Sequence, residues 1–350
     1  MDLVTSGLDR RRLERILDGF ARMRLLIVGD VVLDEYLWGE VDRVSPEAPV
    51  PVVHVRREST VLGGAGNVVR NVVALGGACA FCSVVGDDTA ARRVSEALET
   101  LGVGARGLVV VPGRPTTRKT RVVARSQQVV RFDRETEEPI PAAAARRLVA
   151  AIEIELAGVS GVVLEDYGKG TLAPGVIRAA MRRFRAREVP VAVDPKTSLS
   201  PYRGASLLKP NLREAEFLSG LTIRNDADLA KAAGRLRRRT GGAAVVVTRG
   251  GEGMTIFEGE GPLHVRTVER EVFDVQGAGD TSIAALWLAR LAGATLLEAA
   301  VIANAAAGVV VGKVGTATAG PEEVRELLPE AIEAARAGLR FAAVRRRRNQ

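Results

Sequence analysis

Residues 274–281 read Asp-Val-Gln-Gly-Ala-Gly-Asp-Thr and precede a helical pattern over 282–291. Small residues let a backbone approach a ligand closely, and the first amides of a helix lack internal acceptors, so this turn is suited to binding an anion. A carboxylate at Asp280 would then accept the proton of a hydroxyl that attacks a bound phosphoryl group. The alternative is that Asp280 is only an acidic N-cap after a glycine turn.

A second glycine cluster, Gly-Gly-Ala-Gly-Asn at 63–67, also leads into a helical pattern. It does not match the dinucleotide-binding fingerprint, because Val69 stands where a third glycine is required. The sequence also contains no Gly-x-x-x-x-Gly-Lys-Ser/Thr motif. Rossmann and P-loop nucleotide sites are therefore not indicated.

Residue types for other common chemistries are scarce. Cys79 and Cys82 have C-x-x-C spacing, but they lie on a strand-like run, where a spacing of three directs the two side chains to opposite faces. His54 and His264 are the only histidines, and the sequence has no G-x-S-x-G elbow. We therefore expect no zinc site, no redox pair and no serine hydrolase triad.

Polar clusters follow several strand-like runs. In an open α/β sheet, ligands bind beyond the carboxyl ends of the strands, so we expect these clusters to converge on one edge, although each alone is typical of a turn. They are Asp30 with Asp34, residues 165–170, residues 194–196, residues 209–214 and residues 248–251.

Apolar strand-like runs alternate with helical patterns along most of the chain, which predicts an α/β fold with a parallel sheet covered by helices on both faces. The runs are 25–29, 51–56, 80–85, 161–164, 189–193 and 243–248. The helical patterns are 66–75, 89–101, 142–156, 172–186, 226–239, 279–292, 296–311 and 321–338.

Segments 34–57 and 106–133 show a period of two instead, which predicts a small, half-exposed β lid on the main sheet. We expect a lead helix within residues 1–23, one main domain over 24–338, and a basic C-terminal tail over 339–350.

The chain has 350 residues, 47% hydrophobic and 26% charged, which is typical of a globular protein. Its net charge of +8 is spread over helix faces and the C-terminus, and only 4% of residues are aromatic, so we expect no nucleic-acid partner. The longest apolar run near the C-terminus, residues 299–312, is shorter than the roughly 20 residues of a membrane span. Only two cysteines and no apolar signal region are present, so we expect a cytoplasmic protein without a membrane partner.

Together these motifs resemble the ribokinase-like, PfkB-type carbohydrate kinases, and within that family the kinases of D-glycero-β-D-manno-heptose 7-phosphate. The resemblance extends over about residues 20–330. It is carried by GGAGN and GAGD with their spacing, and by GDVVLDEY (29–36), RVSPEAPVPVV (43–53), DYGKG (166–170), LKPNLREAE (208–216) and ANAAAGVVVGKVGT (303–316).

The resemblance implies a ribokinase-like fold and a role for each matching residue. Asp280 would be the general base, and the amides of Gly277, Ala278 and Gly279 would form the anion hole. Sugar hydroxyls would be bound by Asp34, Gly64 and Asn67. The triphosphate and Mg²⁺ region would include Lys209, Asn211 and Glu214, and Asp274 would belong to a monovalent-cation (K⁺) site. The adenosine pocket would include Thr248, Arg249, Gly251, Asn304 and Gly308.

Charge rather than resemblance suggests a further set of residues. Lys119 and Arg121 are two apart on an alternating lid strand, so both side chains face one way, and Lys169 is a third cation. We expect them to bind the phosphate of the substrate. The alternative is that they form a solvent-exposed face of the lid.

The family usually has Thr where this chain has Gln276. We expect the glutamine amide to enter the cation site and weaken the dependence of activity on K⁺; the alternative is that it points to solvent. The bifunctional heptose enzyme continues into a nucleotidyltransferase, and we expect the present chain to act as the kinase alone.

The resemblance implies ATP- and Mg²⁺-dependent phosphorylation of heptose 7-phosphate at its anomeric hydroxyl, for nucleotide-activated heptose of lipopolysaccharide core, by a homodimer. The alternatives are a PfkB-type kinase for another phosphorylated sugar, such as fructose 1-phosphate or tagatose 6-phosphate, and a non-catalytic sugar-binding regulator.

Overall fold

A computed structural model describes residues 8–125, 127–259 and 261–348, with side chains as far as Leu339 in the last helix. The strands are β1 (Arg24–Gly29), β2 (Val31–Val44), β3 (Pro51–Gly64), β4 (Ala78–Val85), β5 (Leu108–Val110), β6 (Arg118–Ala124), β7 (Gln127–Arg134), β8 (Gly161–Glu165), β9 (Val191–Asp194), β10 (Leu207–Leu208), β11 (Ala244–Thr248), β12 (Met254–Phe257) and β13 (Leu263–Val265). The helices are α1 (Arg10–Asp18), α2 (Ala65–Ala74), α3 (Thr89–Thr100), α4 (Ala142–Glu155), α5 (Pro174–Ala186), α6 (Leu212–Ser219), α7 (Asp226–Thr240), α8 (Ala278–Leu291), α9 (Leu296–Val311) and α10 (Pro321–Arg348).

A mostly parallel sheet forms the centre of the fold. Over the described residues its strand order is β13-β12-β11-β10-β9-β8-β1-β4-β5, and only β12 and β13 run antiparallel to their neighbours. The central strands are continuous runs of Val, Ile and Leu, as is typical of strands buried on both faces. The predicted α/β alternation and parallel sheet are therefore confirmed.

Helices cover both faces of this sheet, and alternate residues of β1 show the two layers. Ile27 belongs to the same apolar cluster as Trp287 of α8, whereas Val28 belongs to a second cluster with Phe184 of α5. Cys79 and Cys82 of β4 follow the same alternation, since Cys79 packs on the first cluster and Cys82 lies within the second. Burial raises the pKa of both thiols to about 12; Cys82 is an apolar core residue, and the partly buried Cys79 packs against the core.

The lid is a separate sheet with the order β3-β2-β6-β7 over the described residues. β2 pairs antiparallel with β3 and parallel with β6, and β6 pairs antiparallel with β7. The lid strands extend beyond the predicted segment 34–57, because β2 begins at Val31 and β3 runs on to Gly64, with which Val31 pairs. The second predicted segment, 106–133, includes β5, which instead pairs with β4 at the edge of the main sheet.

The first described residues contact the last helix, where the Arg336 guanidinium of α10 donates to the Leu8 carbonyl at 3.1 Å. Helix α1 is followed by a short 3-10 turn, and Arg12 of α1 forms a 2.5 Å ion pair with the buried carboxylate of Glu298 in α9. The backbone of α10 is helical as far as Arg348, through most of the segment predicted as a basic tail, and residues 349–350 lie outside the described residues. Among the helices described here, none combines the length and apolarity that a bilayer crossing requires.

Candidate active site

Helix α8 begins directly at the predicted anion-binding turn. Gly277 is its N-cap with φ of 77°, and a Cβ there would lie 2.6 Å from the amide nitrogen of Asn67, so only glycine fits. Asp280 lies in the first turn and is buried. Of the predicted anion-hole amides, that of Ala278 already donates to the Val275 carbonyl, at 3.3 Å. The amides of Gly277 and Gly279 belong to the same turn.

Two donors from different elements bind the Asp280 carboxylate. The Asn67 side-chain amide of α2 donates to Oδ2 at 2.7 Å, and the Tyr167 hydroxyl, from the loop after β8, donates to Oδ1 at 2.7 Å. Burial raises the pKa of Asp280 to about 6, while these two hydrogen bonds oppose that shift. A carboxylate with this pKa is mostly ionised at pH 7 and is suited to accept a proton.

A cavity of about 220 Å³ lies between Asp280 and the inner face of the lid. Its lining joins main-sheet loops to lid strands, so both parts of the fold contribute to one site. The lining residues are Val32, Asp34, Gly63, Gly64, Lys119, Arg121, Arg131, Tyr167, Gln276, Gly277, Asp280 and Thr316.

Three basic side chains of the lid line this cavity. Lys119 and Arg121 lie on β6, and Arg131 lies on β7 directly opposite Arg121. Each has an acidic partner: Lys119 contacts Asp133 at 3.0 Å, Arg131 contacts Asp133 at 3.1 Å, and Arg121 contacts Asp34 at 2.5 Å. The predicted common orientation of Lys119 and Arg121 is confirmed.

Lys169, the third predicted phosphate ligand, is adjacent to this group but does not line the cavity among the residues that the structure describes. Its ammonium contacts Glu135 at 2.8 Å and Glu137 at 2.9 Å, and Glu135 also contacts Lys119 at 3.3 Å. Arg131 was missed by the sequence analysis. The register of the β6–β7 hairpin, had it been known, would have identified it.

The residues predicted to bind sugar hydroxyls have different surroundings. Asp34 and Gly64 line the cavity, whereas the Asn67 side chain is bonded to Asp280. Gly63 packs against Asp34, because a Cβ at Gly63 would lie 2.0 Å from Asp34 Oδ2. Gly63 therefore makes room for a carboxylate that faces the cavity.

Gln276 joins the anion-binding turn to the lid. Its side-chain oxygen accepts a hydrogen bond from the Tyr36 hydroxyl of β2 at 3.1 Å, and its backbone amide donates to Asp274 Oδ1 at 2.9 Å. Asp274 Oδ2 accepts from the Gly315 amide at 3.2 Å, so this carboxylate joins two loops. The side-chain oxygen of the partly exposed Gln276 thus contacts the lid, a contact that neither interpretation of this residue included.

Polar residues at the carboxyl ends of β8, β9 and β10 converge as predicted. The Lys209 ammonium contacts Asp194 at 2.7 Å; the Lys209 side chain is 3% exposed and that of Asp194 is 15% exposed. Burial alone would lower the pKa of Lys209, but the charges of Asp194 and Glu165 raise it. Burial and the charge of Asp194 raise the pKa of Glu165 well above its usual range.

Helix α6 begins with a reciprocal capping box beside this cluster. The Asn211 side chain accepts from the Glu214 amide at 2.9 Å, and the Glu214 carboxylate accepts from the Asn211 amide at 3.0 Å. Among the described residues, no group of three His, Cys, Asp or Glu side chains could hold a metal ion. A single carboxylate such as Glu214 nevertheless fits Mg²⁺, which is commonly held by one or two carboxylates together with substrate phosphates.

The residues predicted for the adenosine pocket lie around β11 to β13. Arg249 and Gly251 line a cavity of about 450 Å³, and Thr248 ends β11 next to them. Asn304 of α9 donates to the carbonyl oxygens of Val265 and Arg266, and a Cβ at Gly308 would lie 3.0 Å from the Leu327 side chain. Neither Asn304 nor Gly308 is among the residues of that cavity.

A family model described as "pfkB family carbohydrate kinase" matches residues 24–323. Two curated relatives, each named "Bifunctional protein HldE", are similar over 319 residues: that of Pelobacter propionicus is 47% identical and that of Citrifermentans bemidjiense 46% identical. Both alignments cover 91% of this chain, but only 65% and 66% of the relatives. The chain thus spans slightly less than two thirds of their length.

A solved structure of ribokinase from Arabidopsis thaliana, complexed with ribose and ATP, is similar to this fold with a TM-score of 0.69 at 21% sequence identity. The superposition covers 87% of this chain and 98% of that one. This likeness confirms the predicted ribokinase-like fold class.

Proposed function

This chain belongs to the pfkB family of carbohydrate kinases and is a sugar kinase, and on that premise we propose that it transfers the γ-phosphoryl group of ATP to the anomeric oxygen of D-glycero-β-D-manno-heptose 7-phosphate. The product would be the 1,7-bisphosphate, a precursor of nucleotide-activated heptose for lipopolysaccharide core.

The observation that carries this proposal is the polarity of the cavity under the lid. Asp280 lies at its floor, and Lys119, Arg121 and Arg131 line its lid side. Such a cavity suits a sugar with a reacting hydroxyl at one end and an anionic group at the other, since charge-assisted hydrogen bonds from Lys and Arg favour a phosphate. These cations are already paired with Asp133 and Asp34, and a substrate phosphate would add a second anionic partner that a neutral sugar lacks.

The residues of the site have separate tasks in this mechanism. Asp280 accepts the proton of the sugar hydroxyl as its oxygen attacks phosphorus, and the amides at the start of α8 stabilise the charge on the transferring group. Asp34 and the Gly64 turn bind sugar hydroxyls. Because Asp280 is mostly ionised only above pH about 6, the base function is lost as the pH falls through that value.

The nucleotide would lie along the carboxyl ends of the parallel strands. We propose that Lys209 and Asn211 face the triphosphate and that Thr248, Arg249, Gly251, Asn304 and Gly308 belong to the adenosine side. Glu214 would hold the divalent ion, for which we propose Mg²⁺, and this ion would neutralise phosphate charge. We also propose that Asp274 belongs to a K⁺ site. A homodimer and a cytoplasmic location remain predictions.

A coupled ADP-release screen tests the proposal. The purified protein is assayed with ATP and Mg²⁺ against heptose 7-phosphate, unphosphorylated heptose, fructose 1-phosphate and tagatose 6-phosphate, with Asp280→Asn as the background control. We expect the highest kcat/KM for heptose 7-phosphate. A higher kcat/KM for another sugar phosphate would identify that sugar as the substrate. Absence of turnover with sugar binding intact would support a non-catalytic regulator.

A further inference from the structure

The loop that follows β8 is fixed by a buried carboxylate at the end of the neighbouring strand. Asp30 is 2% exposed, and its Oδ2 accepts from the backbone amides of Tyr167 and Lys169, each at 3.0 Å. Its Oδ1 accepts from the amide of Thr171, also at 3.0 Å. The side chain of Asp30, directly after β1, therefore fixes the backbone of residues 167–171 by hydrogen bonds.

Asp166 fixes the start of the same loop. Its Oδ1 accepts from the Gly168 amide at 2.8 Å, and its Oδ2 accepts from the Tyr202 hydroxyl at 3.0 Å. Gly168 has φ of 69°, a conformation that favours glycine. The side chains of Asp30 and Asp166 thus fix this loop. Within it, the hydroxyl of Tyr167 contacts Asp280 of α8.

We propose that Tyr167 is a positioning residue that holds the Asp280 carboxylate in place and keeps it ionised as the general base. This inference rests on the proposed function, because it assigns a partner to the base of that reaction. The Tyr167 hydroxyl and the Asn67 amide each occupy one carboxylate oxygen at 2.7 Å, so rotation of the carboxylate would break both hydrogen bonds.

The charges around Asp280 explain why it requires such a donor. Burial raises its pKa most, and the negative charge of Asp194 on β9 raises it further. Glu165 on β8 is a second neighbouring carboxyl group, while Lys209 after β10 and Arg70 on α2 favour the ionised form. The hydrogen bonds from Asn67 and Tyr167 oppose the effect of burial.

The phenol of Tyr167 acts as a donor and not as a second base. Burial and the charge of Asp280 raise the pKa of Tyr167 well above its usual value, so it retains its proton at any pH at which the protein works. During the reaction the sugar proton moves to Asp280 and the phenol proton stays on its own oxygen. Asn67 is in turn oriented by Arg70, which donates to its side-chain oxygen at 3.0 Å.

The test measures the titration of Asp280 itself. Carboxyl-¹³C aspartate is incorporated, and the Asp280 signal is assigned by its loss in Asp280→Asn. We expect a midpoint near pH 6 in the native protein. In Tyr167→Phe it should rise by about one to two pH units, which is the usual worth of a hydrogen bond to a charged group.

Tyr202→Phe is the matched control, because it removes another buried phenol hydroxyl, from the turn after β9, which donates to Asp166 and not to Asp280. Its Asp280 midpoint should remain that of the native protein. An unchanged midpoint in Tyr167→Phe, or equal shifts in both variants, would overturn the proposal.

The kinetic arm separates this inference from the proposed function. With the sugar that has the highest kcat/KM in the screen, the apparent pKa of the acidic limb of the kcat–pH profile should rise in Tyr167→Phe by the same one to two pH units. The kcat of this variant should be two- to tenfold below the native value at pH 7 and should approach it near pH 9. A loss that is equal at all pH values would show a merely structural role. If the native protein phosphorylates no sugar, the proposed function fails, and the NMR arm still decides the pairing.

A second protein keeps the test informative if Tyr167→Phe does not fold. The chain has three tyrosines, and 3-fluorotyrosine can replace all of them during expression. Its more acidic phenol donates a stronger hydrogen bond, so the Asp280 midpoint should fall below the native value. No change, or a rise, would contradict the proposal.

Discussion

Lys119→Ala should weaken the use of heptose 7-phosphate much more than that of unphosphorylated heptose. The Lys119 side chain is only 20% exposed and lines the cavity that contains Asp280. If its ammonium binds the substrate phosphate, the substitution removes a charge-assisted hydrogen bond, which contributes about 1.5–3 kcal/mol. At about 1.4 kcal/mol per factor of ten, this is a loss of roughly 10- to 150-fold in kcat/KM.

The surroundings of Lys119 place the expected loss toward the lower part of that range. Its ammonium already contacts Asp133 at 3.0 Å and Glu135 at 3.3 Å, so part of its charge is neutralised. We therefore expect a loss of about 10- to 30-fold for the phosphorylated sugar and less than about threefold for heptose itself. Lys119→Arg should retain most of the activity.

The assay is ADP release at limiting sugar, with both sugars measured on each variant. Lys231→Ala is the matched control, because that lysine is 71% exposed on α7 and pairs only loosely with Asp228, at 3.5 Å. Lys231→Ala should leave the kcat/KM values for both sugars unchanged. Equal losses for the two sugars in Lys119→Ala would refute the phosphate role and favour a solvated lid face.

In steady-state kinetics, Asp280→Asn should lower kcat at least about 100-fold with little change in KM. In a pH profile, the kcat of the native protein should decline as the pH falls through about 6. Gln276→Thr should raise the KM of the sugar about two- to tenfold, because it removes the hydrogen bond to Tyr36, and it should leave the K⁺ dependence of activity unaltered. Tyr36→Phe should have the same effect. Altered K⁺ activation in Gln276→Thr alone would contradict this prediction. Gly63→Ala should lower the free energy of unfolding by about 1–3 kcal/mol in a denaturant titration, because its Cβ would meet Asp34, whereas Gly104→Ala, with open space, should change it little.

The sequence predicted most elements of the fold and the edge at which the site forms, but not the strands β10, β12 and β13 or the helix α6. Apolar runs and turn residues are local signals, so strands such as β4 and helices such as α9 were located within a few residues. The convergence of polar clusters followed from a general property of parallel sheets. Lid boundaries were less accurate, because strand pairing across the lid depends on partners distant in the chain.

Individual contacts in the site could not be read from the sequence. Arg131 enters the cavity because β7 pairs with β6 in a register that has Arg131 opposite Arg121. Tyr167 lies within the DYGKG motif, but only the structure shows that Asp30 accepts from its backbone amide and that its hydroxyl donates to Asp280. The side chain of Gln276 contacts Tyr36, 240 positions away in the chain, a pairing for which no local pattern exists.

The measurement that tests the central claim most directly is ³¹P NMR of the product formed from ATP and D-glycero-β-D-manno-heptose 7-phosphate by the native protein. We predict that ADP and a new sugar phosphate signal, coupled to the anomeric proton, appear in equal amounts while the 7-phosphate signal persists, and that neither appears with Asp280→Asn. ADP formed together with free phosphate alone, or a new phosphate on another carbon, would contradict the account.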